Sequence, residues 1–486
     1  MATRKILTKK KPKETKISGN KFVKKNNRKY AKADTLGVIG KPTKKKQKPS
    51  KKMVSSDAVP VSVEQKPAIV IEPEFWPVLL AIAFPGWIGQ FVRLACRHSE
   101  ADPVAVLITL LMRIAAEVYG VFFNVGDAKQ MARTNAVLVG DSAKARKGTS
   151  AKPVNRLFAR LKNAARTTPG PLTSGPGLIY NVRDECKEFD KKTGEYIVKD
   201  PGVTDKRLFV QDEEFETTLS SIKTGGNTLS ATIRCFFDDG TVEPLTKTNR
   251  IRTTLAHVVI LAHITRAELT AVLNKVSMAN GFGNRFLWAL VRRQKPIAMP
   301  KPMPTSEVKS FRKILAKHIE SAKELGALKM TKDAEAFWED SYPELTMDFS
   351  GPAGALSNRS ETHAIRLAEI YAIALGHKMI QTADLEAAIA VVKYSRESTA
   401  IIFQGCPDDS RKVKILQALR TADNNKMTLT DISVKVFNRN VGSETIQKML
   451  NDLESSKLVV IRKVKGNTAG RKKTLVKMAS VGSLPY

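Results

Sequence analysis

Cysteine is scarce in this sequence, and the few present form no metal-binding or disulfide pattern. The four cysteines lie dozens of residues apart, without a C-x-x-C pair or a neighbouring histidine pair: Cys96, Cys186, Cys235 and Cys406. This spacing argues against a structural zinc site and against a disulfide framework. It fits a protein of a reducing compartment.

Long hydrophobic runs are also lacking. The longest, VAVLITLLM at 104–112, ends at Arg113 and is too short for a membrane span, so it predicts a buried helix. No hydrophobic segment follows the early lysines, which argues against a secretory signal, and the lysine-rich start lacks the amphipathic pattern of a transit peptide. We expect a cytoplasmic protein without a membrane partner.

Acidic residues are few relative to basic ones. The chain has 47 Asp and Glu against 81 Lys and Arg, a formal net charge of +34. Residues 1–52 hold 20 basic residues against two acidic ones, and residues 411–486 hold 16 against five, which leaves a net charge of +5 for the middle. Two basic ends on a near-neutral body predict that the ends bind a polyanion such as DNA. The alternative is that the tails only keep the protein soluble.

The pattern along the chain predicts five segments. They are a disordered basic arm (1–65), a helical segment (66–125), an α/β core (126–305), a helical subdomain (306–405) and a C-terminal unit (411–486). In the helical segment, Asp102 is placed to cap a helix that has Pro103 at its first position. In the core, short apolar strands alternate with amphipathic segments, which is typical of a mostly parallel sheet with ligands at the carboxyl ends of its strands.

The stretch NAVLVGDSAKARKGTS (135–150) has the composition of a phosphate-binding loop in an unusual order. A short apolar strand leads to Gly140 and then to a cluster of Lys, Gly, Thr and Ser. In the standard loop, G-x-x-x-x-G-K-[ST], the second glycine precedes the lysine. Here Gly148 follows Lys147. The stretch therefore predicts either a nucleotide site or a basic surface turn.

Three later segments offer the other groups that a nucleotide-hydrolysing core needs. In RLFVQDEEFE (207–216), three acidic residues follow a short apolar strand. In HVVILAHIT (257–265), His263 lies near the end of an apolar strand. In NGFGNRFLWALVRR (280–293), Arg285 follows a glycine-rich turn. A strand-end carboxylate can hold magnesium and orient water, and polar groups can contact the γ-phosphate. This order of groups is the one used by ring-forming ATPases of the RecA-like class. Taken singly, the same features are typical of a surface loop, a solvated edge and a core histidine.

Six strings of the sequence also resemble a known family. They are LVGDSAKARKGTS, PLTSGPGLI, KRLFVQDEEF, GGNTLSATIR, LAHITRAEL and ANGFGNRFLW, in that order. Together they resemble a large uncharacterised P-loop family of plasmids, phages and integrated elements, whose members often accompany primase-polymerase domains. Its core is similar to RepA- and DnaB-type replicative helicases. The resemblance covers residues 75–405.

The resemblance implies a RecA-like P-loop ATPase that uses ATP and Mg²⁺. Lys147 would contact the β- and γ-phosphates, and backbone N–H groups from Gly140 to Gly148 would line the phosphate cradle. Thr149 or Ser150 would supply a hydroxyl to magnesium. The resemblance also implies a homo-oligomer such as a hexameric ring, and a primase or another replication protein as a partner.

The same resemblance assigns roles to the acids. The family spacing of acid, any residue, acid and Phe matches Asp212 and Glu214, which leaves Glu213 as a solvated residue. Asp212 would hold magnesium together with Thr149, and Glu214 would polarise the attacking water. Arg285 would stabilise charge on the γ-phosphate, within its own chain or across a subunit interface.

In the helical subdomain, one helix face carries three basic side chains. Arg359, His363 and Arg366 are spaced i, i+4 and i+7. They are expected either to reach a phosphate or a neighbouring subunit, or simply to cover a helix surface.

The C-terminal unit has the pattern of a winged helix-turn-helix. Three short helical stretches precede two strands that flank the glycine-containing turn KGNTAG. The third helix is expected to offer Thr445, Gln447 and Lys448 to a nucleic-acid groove. The wing would bring basic side chains to phosphates: Arg462, Lys463, Lys465, Arg471, Lys472 and Lys473. The alternative is a protein-contact module.

Taken together, these features predict a nucleic-acid-dependent ATPase, most consistent with a helicase-like replication protein of a mobile element. Two alternatives stay open: a DNA-binding replication initiator or regulator whose ATP site hydrolyses weakly or not at all, and a scaffold with basic tails. The sequence shows no zinc ribbon and no further carboxylate pair of the kind a primase site needs.

Overall fold

The protein is a mixed α/β molecule, and the computed structural model describes residues 76–141, 145–245, 251–272, 280–347, 351–403, 410–455, 459–465 and 472–478. The predicted basic arm (1–65) lies outside these residues. The strands are β1 (Phe122–Val125), β2 (Ala128–Met131), β3 (Asn135–Gly140), β4 (Arg166–Pro169), β5 (Cys186–Asp190), β6 (Glu195–Asp200), β7 (Arg207–Asp212), β8 (His257–Thr265), β9 (Phe286–Leu290), β10 (Ala327–Leu328), β11 (Lys426–Thr428), β12 (Val459–Lys465) and β13 (Lys472–Met478). The helices are α1 (Gly86–Arg97), α2 (Pro103–Glu117), α3 (Lys147–Phe158), α4 (Gly175–Tyr180), α5 (Phe215–Lys223), α6 (Leu229–Asp238), α7 (Arg266–Val272), α8 (Thr305–Ala322), α9 (Lys332–Leu345), α10 (Gly351–Ser357), α11 (Ser360–Leu375), α12 (Thr382–Ile402), α13 (Ser410–Thr421), α14 (Leu429–Asp431) and α15 (Ser443–Ser455).

A five-stranded sheet forms the centre, in the order β4-β7-β8-β3-β9. Every neighbouring pair in it is parallel. The predicted α/β class with a mostly parallel sheet is therefore confirmed. The strands for 135–140, 207–212 and 257–265 lie where their apolar runs predicted them.

Helices cover both faces of this sheet. Ala136 and Leu138 of β3 point into a core shared with α1, α2, α3, α8 and α11, whereas Val137 and Val139 point into a second core shared with α4 to α7. Burial on both faces explains why β3 and β8 read as continuous apolar runs instead of alternating ones.

Helix α2 is the buried helix predicted from the longest apolar run. Asp102 caps it, because its carboxylate accepts a hydrogen bond from the Val104 N–H at 2.8 Å, and Pro103 occupies its first turn. Within the helix, Arg113 forms a buried ion pair with Glu117 at 2.8 Å, and Glu117 also accepts from the Ala165 N–H. None of the helices in the described ranges has the length and apolarity to cross a membrane.

The outer edge of β9 is covered by α12. Ser395 accepts a hydrogen bond from the Trp288 N–H at 2.8 Å, and Ser398 accepts from the Leu290 N–H at 3.1 Å. Tyr394 donates its hydroxyl to the Leu290 carbonyl at 2.5 Å. These side chains satisfy backbone groups that an edge strand otherwise presents to solvent.

Two smaller sheets differ from the sequence-based expectation. Strand β1 lies at the end of the segment predicted to be helical (66–125), and it pairs antiparallel with β2 and parallel with β10. The predicted all-helical subdomain accordingly contains a short strand, β10, which can form because it adds to the free edge of β1. Strands β5 and β6 form a separate two-stranded hairpin whose side chains are mostly exposed.

The C-terminal segment has a core of its own, which includes Ile415, Leu419, Ile446, Leu450 and Val476. It contains α13, then α14 continuing into a π-helical segment (Ile432–Val436), then α15 and the β12-β13 hairpin. Strand β11 was not predicted; it pairs with β13, so that this sheet has three strands.

Candidate functional site

A cleft of about 690 Å³ opens at the carboxyl ends of β3, β7 and β8, and we call it the strand-end cleft. Its walls come from the first turns of α3, from the residues after β7, and from the junction of β8 with α7. In open parallel α/β sheets this edge is where ligands bind. It is the edge at which the sequence predicted a site.

Ala145 and Val291 pack tightly against Gly140, at the end of β3. A Cβ atom at Gly140 would lie 2.4 Å from the Cβ of Ala145 and 3.1 Å from the Val291 carbonyl oxygen, so this position has no room for a side chain. Arg146 has a left-handed backbone (φ 58°), and α3 begins at the next residue. The first turn of α3 therefore faces the cleft with its positive dipole end.

Lys147 is folded back over the end of β3. Its Nζ lies 3.5 Å from the position of a Cβ on Gly140. Burial lowers the pKa of Lys147, and the carboxylates of Glu268 and Asp141 partly offset that effect. The lysine charge is thus partly desolvated at the cleft, where its attraction for an anion is stronger than in bulk water.

The two hydroxyls after the lysine lie in different environments. Thr149 lines the cleft with Gly148. Ser150 is fully buried, and its Oγ approaches the Arg146 carbonyl at 3.4 Å. Of the two hydroxyls proposed for magnesium, the structure brings Thr149 to the cleft and turns Ser150 away from it.

Asp212, expected to hold magnesium, is fully buried and is not among the residues that line the cleft. Its carboxylate accepts hydrogen bonds from the Thr218 hydroxyl at 2.5 Å and from the Glu214 N–H at 3.0 Å. Gly170 packs so closely that a Cβ there would lie 2.4 Å from the Asp212 Cγ. Burial raises the pKa of Asp212. In this arrangement Asp212 braces the end of β7 instead of facing the ligand space.

Glu213, expected to be solvated, lines the cleft together with Glu214. Its Oε2 lies 3.8 Å from the position of a Cβ on Gly148, so it faces the first turn of α3. Its Oε1 accepts from Gln211 at 2.9 Å, and Gln211 in turn accepts from Asn155 at 3.0 Å. The alternation of side chains along a strand could have predicted this position of Glu213. Successive side chains point to opposite sides, so a buried Asp212 leaves Glu213 facing the cleft.

His263 lies near the end of β8, in the cleft wall, and is only 3% exposed. Within the described residues its Nε2 has no hydrogen-bond partner. Burial, with the charge of Lys147 nearby, lowers the pKa of His263 to about 4. A neutral imidazole with an unused nitrogen is therefore held at the cleft, beside the lysine.

Arg285 is not brought to this cleft. It precedes β9, and Phe286 pairs with Asn135 at the amino end of β3, whereas Gly140 lies at the carboxyl end. Asn135 and Gly140 are five residues apart, which is roughly 17 Å along the strand. Arg285 is only 7% exposed and forms an ion pair with Asp238 at 2.7 Å. Within one chain, Arg285 therefore lies away from the strand-end cleft, and its expected contact with a γ-phosphate across a subunit interface stays a prediction.

The three basic residues at α11 also lie at the amino edge of the central sheet, and each has a partner within the protein. Arg359 immediately precedes the helix. His363 bonds to the Thr134 hydroxyl at 2.7 Å and to the Asn284 carbonyl at 3.0 Å. Arg366 is buried and donates to the Phe237 carbonyl at 2.7 Å. Arg359 contacts Asp238 at 3.3 Å. His363 and Arg366 are packed inside the molecule, which neither expectation describes, whereas about a third of the Arg359 side chain is exposed.

Glu268 and Lys152 also line the cleft and were not anticipated. The Glu268 carboxylate accepts from the Thr265 N–H at 2.9 Å, which fixes the first turn of α7. Glu268 lies in LAHITRAEL, one of the strings that carry the family resemblance, but that string gave it no role, and Lys152 stands in none of the six strings. Their place in the site follows from the parallel packing of β3 beside β8.

The oxygen atoms of the cleft suit a magnesium ion that is also bound by phosphates. Thr149, Glu213 and Glu214 all line it, and hydroxyl and carboxylate oxygens are the ligands that Mg²⁺ takes. In the part of the chain that the structure describes, no three His, Cys, Asp or Glu residues form a cluster that could hold a metal ion.

The residues expected to contact DNA lie on α15 and the β12-β13 hairpin. Thr445 and Lys448 are exposed on α15, and Gln447 donates to Asn451 at 2.9 Å. Arg462, Lys463 and Lys473 are exposed on the hairpin. Lys465 pairs with Lys472 next to the turn. Arg471 lies outside the described residues.

No protein-family model matches the chain, and no curated protein matches it in sequence.

Proposed function

We propose that this chain is a nucleic-acid-dependent ATPase with a RecA-like core, acting as a helicase-like replication protein of a mobile element. One observation supports the ATPase assignment: the strand-end cleft gathers Lys147, Glu213 and His263 around the start of α3, and among the described residues the His263 Nε2 has no hydrogen-bond partner. The parallel sheet with helices on both faces is compatible with a RecA-like core. The helicase and replication roles rest on the resemblance of residues 75–405 to the P-loop family.

In this proposal the start of α3 holds the phosphates. The first turn offers backbone N–H groups and the helix dipole, and Lys147 supplies a partly desolvated positive charge. Tight packing at Gly140 keeps the backbone close to the phosphates. Magnesium, when bound, would supply positive charge that offsets the negative charge of the phosphates. Thr149 and a cleft carboxylate would hold it.

Glu213 is the residue that we assign to orient the attacking water. It faces the first turn of α3, and the hydrogen bond from Gln211 fixes its carboxylate. Glu214 also lines the cleft, but its backbone N–H is bound to Asp212 and it begins the turn into α5. His263, neutral near pH 7, would contact the γ-phosphate end of the nucleotide and sense its loss.

Nucleic-acid binding is assigned to the C-terminal segment. Its helices and three-stranded sheet suit a winged helix, with α15 as the groove-contacting helix and the β12-β13 hairpin as the wing. The exposed Lys448, Lys463 and Lys473 would contact phosphates, and Thr445 would face base edges. Assembly into a homo-oligomeric ring, and association with a primase or another replication protein, belong to the same proposal.

A second function is favoured by one specific feature. Because Asp212 is held by Thr218 and by the Glu214 backbone, it does not face the ligand space. A cleft that lacks this strand-end carboxylate would bind ATP with little turnover. The chain would then be a DNA-binding initiator or regulator controlled by nucleotide occupancy.

The test is ATP hydrolysis by the full chain, with and without single-stranded DNA, beside the variant Lys147→Ala. Loss of the lysine charge should lower turnover by about 10²-fold or more, because one charge-stabilising donor contributes about that much. Lys313→Ala is the matched control, since Lys313 is exposed on α8, outside the cleft. ATP binding without hydrolysis in the wild type would support the regulator. Equal turnover in Lys147→Ala and wild type would remove this cleft from the reaction.

A further inference from the structure

A second cleft, which we call the side cleft, adjoins the strand-end cleft. Its volume is about 480 Å³, within the range of small-molecule sites. It lies between α3, the end of α1 and the segment 297–303. Arg146, Thr149 and Lys152 line both clefts, so the two spaces meet at the first turns of α3.

The walls of the side cleft are mainly apolar. Pro153 of α3 and Ala95 of α1 face Ile297, Ala298 and three further apolar residues of the following segment, Pro300, Pro302 and Met303. The strand-end cleft, by contrast, is lined largely by charged and polar side chains. A charged compartment joined to an apolar one suits a ligand with a polyphosphate end and a flat, largely apolar end.

Several polar groups around the side cleft are already engaged. Glu100 accepts from the Ile297 N–H at 2.9 Å and pairs with Arg146 at 2.5 Å. Arg156 donates to the Met303 carbonyl at 2.6 Å. Ser99 accepts from the Ala101 N–H at 3.2 Å. These bonds hold the walls together, and the atoms that form them are not available to recognise the edge of a base.

Part of the backbone of the segment 297–303 likewise offers no donor. Pro300 and Pro302 have no N–H. The Ile297 N–H is bound to Glu100, and the Lys301 N–H is bound to the His98 carbonyl at 3.0 Å. Discrimination between bases requires hydrogen-bond donors and acceptors placed against the base edge, and packing against apolar walls supplies little of it.

We infer that the side cleft holds the nucleoside part of a nucleoside triphosphate whose phosphates lie in the strand-end cleft, and that it accepts purine and pyrimidine bases with little preference. The inference rests on the proposed function, because it takes the strand-end cleft as the phosphate site. It extends that function from ATP to nucleoside triphosphates as a class.

The experiment measures equilibrium binding to the full chain, in the presence of Mg²⁺, for ATP, GTP, CTP and UTP, and for inorganic tripolyphosphate as a probe of the phosphate site alone. The four nucleotides should bind within about tenfold of one another, which corresponds to about 1.4 kcal/mol. All four should bind at least tenfold more tightly than tripolyphosphate, because only they occupy the side cleft.

The variant Ala298→Trp separates the two clefts. Ala298 is exposed and lines only the side cleft, so a larger side chain there fills it without a cost to the core. We expect nucleotide affinity to fall at least tenfold and tripolyphosphate affinity to stay unchanged. Met299→Trp is the control, since Met299 is 84% exposed and lines neither cleft.

Three results would overturn the inference. One is a preference above about a hundredfold for one base. Another is unchanged nucleotide affinity in Ala298→Trp. A third is tripolyphosphate binding as tightly as the nucleotides. That result would refute the assignment of the side cleft to the nucleoside and would leave the strand-end cleft as the phosphate site. Failure of both nucleotides and tripolyphosphate to bind the wild type would refute the proposed function as well.

Discussion

Acid should destabilise this protein through three buried histidines. Burial lowers the pKa of His257 and of His363 to about 3 each, and burial with the charge of Lys147 lowers that of His263 to about 4. His257 Nε2 donates to the Ala115 carbonyl at 2.7 Å, while its Nδ1 has no partner in the described part of the chain. A second proton on this ring would place an unpaired N–H in the core near Arg133.

The size of the effect follows from proton linkage. An unfolded histidine has a pKa of about 6.5, so the unfolded chain binds more protons than the folded one between pH 6.5 and the lowered values. Above about pH 6.5 the three histidines cost the folded state nothing, and its stability falls as the pH drops from 6.5 toward the lowered pKa values. At about 1.4 kcal/mol per pKa unit, each histidine costs about 2 kcal/mol at pH 5, and the three together about 6 kcal/mol.

Urea unfolding of the full chain at pH 7, 6 and 5 measures this loss. Carboxylates also contribute to acid unfolding, so the comparison between variants isolates the histidines. His363→Gln should lose about 2 kcal/mol less than the wild type between pH 7 and pH 5. His98→Gln, a change at an exposed histidine, should keep the wild-type pH dependence. Identical pH dependence in His363→Gln and wild type would show that His363 is not held neutral by the fold.

Three further predictions concern the site, the core and the C-terminal segment. Glu213→Gln should bind ATP but stall hydrolysis, and Glu214→Gln should change turnover little; the opposite ranking would restore the sequence-based assignment. Burial raises the pKa of Glu369 well above its usual value, so the stability that it contributes is lost as pH rises through that raised pKa. The thermal unfolding temperature of Glu369→Gln should therefore fall less between pH 6 and pH 9 than that of the wild type. An equal fall in both proteins would contradict a protonated Glu369 carboxyl in the folded state. Deleting 411–486 should weaken DNA binding and flatten its salt dependence by about 0.9 log unit per lost phosphate contact on duplex DNA, with DNA-independent ATPase retained; an unchanged slope would place DNA binding elsewhere.

The sequence predicted the features that depend on neighbouring residues. The apolar runs located β3, β7 and β8, and Asp102 with Pro103 located the start of α2. The parallel sheet followed from the alternation of strands and helices. These patterns are local, and burial on both faces makes them strong.

The roles of individual acids and of Arg285 depend on geometry that the residue order does not contain. The direction of the Asp212 side chain is set by Thr218 and by the close approach of Gly170. Arg285 precedes its strand, whereas the acids and His263 lie at the ends of theirs. In a parallel sheet a residue before a strand lies at the opposite edge from residues at strand ends, so the topology alone separates Arg285 from the cleft of its own chain.

The covering of β9 by α12 limits how copies of this chain can associate. A sheet grows between molecules when an edge strand offers its backbone N–H and C=O groups to a strand from another copy. At Trp288 and Leu290 those groups are already bound by Ser395, Ser398 and Tyr394. A continuous intermolecular sheet through β9 is thereby blocked, so copies that assemble into a ring must join through side-chain surfaces or through other edges.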